Sequence, residues 1–229
     1  MSYLKSFTRL FFPEVCSICG RGLFSHEQII CSVCKLNLPL TNFHQYNKNP
    51  VELTFWGRVD IQKATSFLLY TKGEIVKNIL HSIKYRNNRL LAEEMGRQFG
   101  LVINESNIFN HIDMIIPVPL HHKKLLKRGY NQSELIANGV GKVLDKPIET
   151  NILYKTADTS TQTKKTRYER WENAENIYAL LNESSLNDKN ILLIDDVLTT
   201  GATLEACCLA FKNTNVKSIN IATLAYAAN

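Results

Sequence analysis

The strongest fold signal in the chain is Ile191-Leu192-Leu193-Ile194-Asp195-Asp196-Val197-Leu198-Thr199-Thr200-Gly201-Ala202-Thr203. Four consecutive branched apolar residues suit a strand covered on both faces, the usual state of a parallel strand. Two carboxylates follow, then a turn of Thr and Gly, then a segment from Thr203 to Lys212 that reads as a helix. That order puts the turn at the carboxyl edge of an open α/β sheet, where such folds bind ligands. A helix N-terminus presents free N–H groups and a partial positive charge, which together attract an anion. Gly201 lets the backbone curl closely around it. Thr199, Thr200 and Thr203 can donate hydroxyl hydrogen bonds without adding negative charge. Asp195 and Asp196 would repel a phosphate in contact with them. They suit a group that donates hydrogen bonds, such as vicinal ribose hydroxyls, or a divalent cation. The string Asp195-Asp196-Val197-Leu198-Thr199-Thr200-Gly201-Ala202-Thr203 therefore predicts a site for a phosphorylated ribose. The rival reading is an ordinary strand-to-helix turn with capping Asp and Thr, which requires the whole string to be coincidental. Other phosphate loops fit worse, since the chain has no Gly-x-x-x-x-Gly-Lys-Ser/Thr and no Gly-x-Gly-x-x-Gly after a strand.

Outward from this stretch, strands and helices alternate from about residue 58. Lys63–Tyr70 reads as a strand, and Ile75, Val76, Ile79, Leu80 and Ile83 mark one helix face. Leu90, Leu91, Met95 and Phe99 mark a second helix, and Ile112–Val118 is a buried strand running into Pro117-Val118-Pro119. A third helix covers Asn131–Val143, with Asn131 as N-cap and Glu134 three residues later. Ser218–Tyr226 reads as the last strand. This alternation predicts an α/β domain with a mainly parallel sheet flanked by helices. Residues 37–57, with Pro39, Pro50, several Asn and Gly57, read as a linker. Leu4, Phe7, Leu10 and Phe11 give residues 2–12 the spacing of an amphipathic helix that Pro13 stops.

Between them lies Cys16-x₂-Cys19-x₁₁-Cys31-x₂-Cys34. Each pair can grip one metal ion, and two pairs complete the tetrahedron of a structural zinc site. A segment this short has no adequate core, so metal would supply its folding energy, on the order of 10–16 kcal/mol. Four thiolates leave no open catalytic position. His26 and His44 read as bystanders, and a redox dithiol would need a thioredoxin-like context that the sequence lacks. Cys207 and Cys208 read as small core residues of the helix after the phosphate turn. The expected organisation is therefore 1–48 for the helix and zinc module and 58–229 for the α/β domain, the latter able to stay folded without the former.

The chain has 229 residues, 45% hydrophobic and 21% charged, which suits one medium domain with an appendage and argues against global disorder. The net charge of +6 fits phosphate-bearing ligands or nucleic acid, and equally a slightly basic surface without meaning. No apolar run approaches the ~18 residues of a spanning helix, and the N-terminus lacks the apolar core and cleavage site of a secretory signal. The expected location is the cytoplasm, where reduced cysteines serve as metal ligands rather than disulfides.

The string 195–203 resembles the loop of type I phosphoribosyltransferases that binds phosphoribosyl pyrophosphate (PRPP). Further segments resemble the ComF family of bacterial competence-associated proteins: Ile83-Lys84-Tyr85-Arg86, Pro117-Val118-Pro119-Leu120-His121-His122-Lys123-Lys124, Lys127-Arg128-Gly129-Tyr130-Asn131-Gln132-Ser133, Asp158-Thr159-Ser160-Thr161-Gln162, Arg170-x-x-Asn173 and the two cysteine pairs. The resemblance implies a type I phosphoribosyltransferase fold. It makes Pro119, Leu120, His121 and Lys123 a pyrophosphate-side loop, with Arg128 nearby to neutralise phosphate charge through its planar fork. Residues 155–175 become a flexible hood, although Lys155 and Trp171 stand where the family carries arginine. As an enzyme, the chain would transfer the ribose 5-phosphate of PRPP to an acceptor. Mg²⁺ would bridge pyrophosphate and ribose oxygens while Asp195 and Asp196 support the ribosyl cation. No residue pattern names the acceptor. The alternative is a non-catalytic protein that uses the phosphoribosyl site as sensor or anchor while handling single-stranded DNA. Tyr85, Tyr130 and Trp171 would be the aromatics available for base stacking, and a competence helicase would be the partner protein.

Overall fold

The computed structural model describes residues 14–71, 74–156 and 177–227. The expected helix over 2–12 and nearly all of the expected hood lie outside the described residues. Four parallel strands form the central sheet in the order β1 (Lys63–Tyr70), β6 (Ser218–Ala227), β5 (Asn190–Leu198) and β2 (Met114–Pro117). β5 occupies an interior position. Its Leu192 and Ile194 enter one apolar core while Ile191 and Leu193 enter the other, which explains the unbroken apolar run. A two-stranded antiparallel ribbon of β3 (Leu153–Lys155) and β4 (Tyr178–Leu180) stands apart from the sheet.

Helix α1 (Ser32–Leu36) belongs to the cysteine segment, and α2 (Pro50–Phe55) precedes the sheet. Helices α3 (Glu74–Tyr85), α4 (Arg89–Asn104) and α6 (Gln132–Leu144) send their apolar stripes into the first core. Helix α7 (Ala202–Ala210), α2 and the ribbon cover the second. Helix α5 (His122–Arg128) buries no side chain. Asn131 caps α6 as expected, its side chain accepting from Ser133 N at 3.1 Å.

Helices α4 and α6 meet backbone to backbone. A Cβ added at Gly96 would lie 2.1 Å from the Ile136 carbonyl oxygen, and one at Gly139 2.1 Å from that of Glu93. This close approach fixes the first turn of α6, which faces the candidate site.

Residues 37–57 are packed structure rather than a linker. Thr41 N donates to Phe67 O and Leu69 N to Pro39 O, so this stretch runs antiparallel beside β1. Asn49 caps α2, and Val51 and Phe55 are fully buried in the second core. The polar composition misled because one of its asparagines serves an inward role: buried Asn49 Nδ2 donates to the carbonyls of Phe43, Tyr46 and Ala64. The cysteine segment is likewise not a detached appendage. Cys16, Ile30, Cys31, Cys34 and Leu38 share the first core with Phe67, Leu68 and Met95.

Candidate functional site

Strand β5 runs further than its apolar run suggests. Asp195, Val197 and Leu198 still pair with Thr223, Ala225 and Tyr226 of β6. Both aspartates are therefore strand residues of fixed orientation. Leu198 is buried in the second core and Val197 packs against the first, so their side chains anchor the strand. The exposed part of the predicted string is Thr199, Thr200, Ala202 and Thr203, gathered around the buried Gly201. Gly201 sits at the N-cap of α7 with φ +79°, where a side chain would be strained. Ala202 N–H points toward Thr200 Oγ1 at 3.5 Å. The turn thus opens on the free end of a nine-residue helix.

The two carboxylates have different partners. Asp196 forms an ion pair with Lys84 Nζ of α3 at 3.0 Å. Asp195 Oδ1 accepts from Ser133 Oγ at 2.9 Å and from Asp196 N at 2.8 Å. Burial, and then the adjacent Asp196 charge, push the Asp195 carboxyl up to about 7 against those hydrogen bonds and Lys84. Two neighbouring acids in one site, one ion-paired and one close to holding its proton at neutral pH, form a set that can both accept and donate hydrogen bonds toward a polyol.

Pro117 ends β2 and Val118 N donates to Ile194 O at 2.8 Å, which brings the Pro119–Lys123 segment beside β5. His121 is the N-cap of α5, its Nδ1 accepting from Lys123 N at 3.2 Å. The expected loop is therefore a short loop followed by a helix, with Lys123 already in the first turn. Arg128 closes α5 and lies over the Tyr85 ring at 5.8 Å. Arg89 lies over Tyr130 at 5.0 Å and donates to Gly129 O at 3.1 Å. The ribbon strands flank residues 157–176 and are tied at Thr156 N to Ile177 O, 2.9 Å. Tyr178 is buried on the ribbon, its hydroxyl pushed up by burial and by nearby Cys207 and Asp195.

A cavity of about 1020 Å³ lies elsewhere, along α7 and toward the amino edge of the sheet, lined by Arg58, Glu205, Leu209, Phe211, Lys217 and Ile219 among others. The candidate chemistry is at the carboxyl edge, where both acids, Lys84 and the turn lie together, and volume alone does not outweigh that grouping.

Cys16, Cys19, Cys31 and Cys34 come together with all four sulfurs within 4.8 Å of one another, without His26 or His44. Cys19 and Cys31 Sγ are 3.8 Å apart, the edge of a tetrahedron with bonds of about 2.3 Å. Burial opposes ionisation of Cys16, yet backbone N–H groups of Cys19, Cys31 and Ile18 bring it down to about 7. Burial and the neighbouring sulfurs push Cys34 up. Four thiols in one small space ionise together only when a cation joins them, so the cluster could hold a metal such as zinc.

Several partners escaped the sequence reading. Lys84 stood inside a quoted segment but carried no sign of its reach to Asp196, and Ser133 lies 62 residues from its carboxylate. Glu27 is another: its carboxylate accepts from Phe24 N, Ser32 N and Ser32 Oγ at 2.6–2.9 Å and clamps the second cysteine pair. Those three donors hold it down at about 2.

The model of the phosphoribosyl transferase domain matches residues 126–229, which include Arg128, Ser133 and the whole string 195–203. Competence protein F of Haemophilus influenzae is 28% identical over 153 residues, 65% of this chain and 67% of that protein. Competence protein ComFC of Bacillus subtilis is 31% identical over 146 residues, covering 63% and 57%. DNA utilization protein YhgH of Escherichia coli K12 is 24% identical over 193 residues, covering 83% and 80%. The last of these alignments is too long to stop at the transferase domain, so the likeness extends toward the N-terminal half. Residues 126–229 thus resemble a phosphoribosyl transferase domain on a mainly parallel sheet, and the chain is similar to the competence and DNA utilization proteins. Among the described residues no helix is long and apolar enough to cross a membrane.

Proposed function

We propose that this ComF-type chain binds PRPP or a related phosphoribosyl ligand. The 5′-phosphate would lie in the Thr199–Thr203 turn and the ribose hydroxyls on Asp195 and Asp196. The observation that carries the reading is the run of β5 through both aspartates straight into the Gly201-capped helix. It sets hydroxyl acceptors and an anion-binding helix end next to one another on one rigid element. Pro119, Leu120, His121 and Lys123, with Arg128, supply the pyrophosphate side. Mg²⁺ would enter with the pyrophosphate oxygens, near the carboxylates that hard cations prefer. With an acceptor nucleophile, the reaction is transfer of the 5-phosphoribosyl group with release of pyrophosphate. Zn²⁺ is the ion that four cysteine sulfurs fit best, and a reducing cytoplasm would keep them available.

Titration calorimetry with phosphate, ribose 5-phosphate and PRPP tests the assignment. Replacing Asp195 and Asp196 together by Ala removes hydroxyl acceptors and negative charge at once. Such a protein should bind phosphate as well as before or slightly better, and PRPP at least ten-fold worse, given roughly 1.5–3 kcal/mol for each charged hydrogen bond. Gly201→Val should impair all three ligands, and Arg128→Ala should spare ribose 5-phosphate while weakening PRPP. Equal loss of all three ligands by the folded double-aspartate variant would sink the division of labour.

A second reading, single-stranded DNA handling, has its own support. Helix α5 exposes Lys124 and Lys127 with no acidic residue, and Tyr85 beside it is 70% exposed under Arg128. Cations interleaved with an exposed ring suit a phosphate backbone with stacked bases. Affinity for a single-stranded oligonucleotide should fall steeply with salt. Charge reversal at Lys123, Lys124 and Lys127 should weaken it. Binding that ignores salt, or no binding at low ionic strength, removes this reading.

A further inference from the structure

We propose that Arg58 is the positioning residue of the phosphate turn, holding the Thr200–Gly201 peptide so that the Gly201 N–H faces the anion. The proposal rests on the phosphate reading given above. Arg58 Nη1 donates to Thr200 O at 2.7 Å and to Thr54 O at 3.1 Å, and Nη2 pairs with the Glu205 carboxylate. One planar guanidinium thereby joins three separate points: the end of α2, the turn, and the first turn of α7.

The consequence follows from peptide geometry. Thr200 C=O and Gly201 N–H belong to one peptide plane, and this chain has no cis peptide bond among its described residues. In a trans peptide the two groups point in opposite directions. Fixing the carbonyl on Arg58 therefore directs the N–H to the other side of the turn. A peptide flipped the other way would aim a carbonyl oxygen at the phosphate and repel it. Glycine makes such a flip easy, because it populates both hands of φ with little cost. The turn thus needs an external hold, and Arg58 provides it.

Two further observations agree. Gly201 packs directly on the same wall, where a Cβ would meet Thr54 Cγ2 at 3.0 Å, Phe55 Cε1 at 3.2 Å and Arg58 Nη1 at 3.4 Å. The pairing with Glu205 also keeps the guanidinium largely neutralised and engaged behind the turn. Arg58 therefore acts through the backbone it orients rather than as a direct phosphate ligand. A Lys at this position would keep the charge but could not fork to two carbonyls and a carboxylate.

The test compares wild type, Arg58→Lys and Arg58→Met by calorimetry with inorganic phosphate and ribose 5-phosphate, together with ¹⁵N amide spectra. Both variants should bind each ligand about ten-fold more weakly. The Gly201 amide resonance, shifted by phosphate in wild type, should respond little in either variant. If the Met variant folds poorly, the Lys variant carries the test alone. A Lys variant that binds like wild type would reduce the role to charge and overturn the proposal. So would an unaltered Gly201 response. Wild-type protein that binds neither ligand overturns the phosphate reading itself, and the proposal with it.

Discussion

Asp195 shows how one residue can be legible in type and illegible in state. Its identity beside Asp196 already implies hydroxyl or cation chemistry. Its protonation depends on burial and on Ser133, Lys84 and Asp196, brought together from three elements. Pushed up to about 7 from an ordinary value near 3.9, the carboxyl binds its proton more tightly in the folded chain than in the unfolded one. Between about pH 4 and pH 7 the native state therefore holds more protons, and stability falls as pH rises through that window. Asp195→Asn removes the charge and keeps the shape. The variant should exceed wild type in stability at pH 8 by roughly 1–3 kcal/mol, allowing for partial exposure. The advantage should vanish near pH 4. Thermal melts at both pH values check this, and an equal gap at both would contradict the assigned cause.

At the scale of elements, the site depends on how α4 and α6 meet. Helix α6 carries Ser133 in its first turn, and its position is set by the contacts at Gly96 and Gly139. Gly139→Ala would place a methyl group on the backbone of α4, and only a shift of one helix relieves it. The expected cost is about 1–3 kcal/mol of stability, measured by denaturant unfolding. Affinity for ribose 5-phosphate should fall as well, because Ser133 withdraws from Asp195. Unchanged affinity in a destabilised variant would show that the Ser133 contact does not serve the ligand. The same scale accounts for two misread stretches. The apolar run Ile191–Ile194 marks where β5 is buried on both faces, but pairing with β6 carries the strand on through Leu198. Pro50–Phe55 is too short for periodicity to reveal it, yet it builds the wall behind Gly201.

At the scale of the molecule, the cysteine segment and the sheet share a core. The cysteine spacing suggests an independent module whose loss leaves residues 58–229 folded. Because Cys16, Cys31 and Cys34 pack with Phe67, Leu68 and Met95, their region should unfold together with the sheet. Elemental analysis should find one zinc per chain. Cys16→Ser or chelation should lower the midpoint of a single cooperative melt by several degrees, since roughly 1 kcal/mol shifts a domain of this size by about 2–4 °C. Two well-separated transitions would restore the independent module, and protein purified under reducing conditions without stoichiometric metal would remove zinc from the account.

The sequence by itself determined whatever is local or periodic. The apolar run followed by acids and a Thr/Gly turn specified a strand, a turn and a helix in that order. The four cysteines specified their own meeting, because each pair is close in sequence and each side chain offers one ligand atom. The helix stripes specified most of the residues that face the core, with Leu90 the exception at 66% exposed. Only the tertiary structure decided what depends on distant segments: Lys84 on Asp196, Ser133 on Asp195, Arg58 on Thr200 across 142 positions. It also decided that residues 37–57 pack beside β1 and bury Leu38, Phe43, Val51 and Phe55, and that the cysteine segment shares the first core. Single polar side chains at such separations leave no periodic trace. A hydrogen bond or ion pair needs one donor and one acceptor in register, and the register is set by the packing of the whole sheet and its helices.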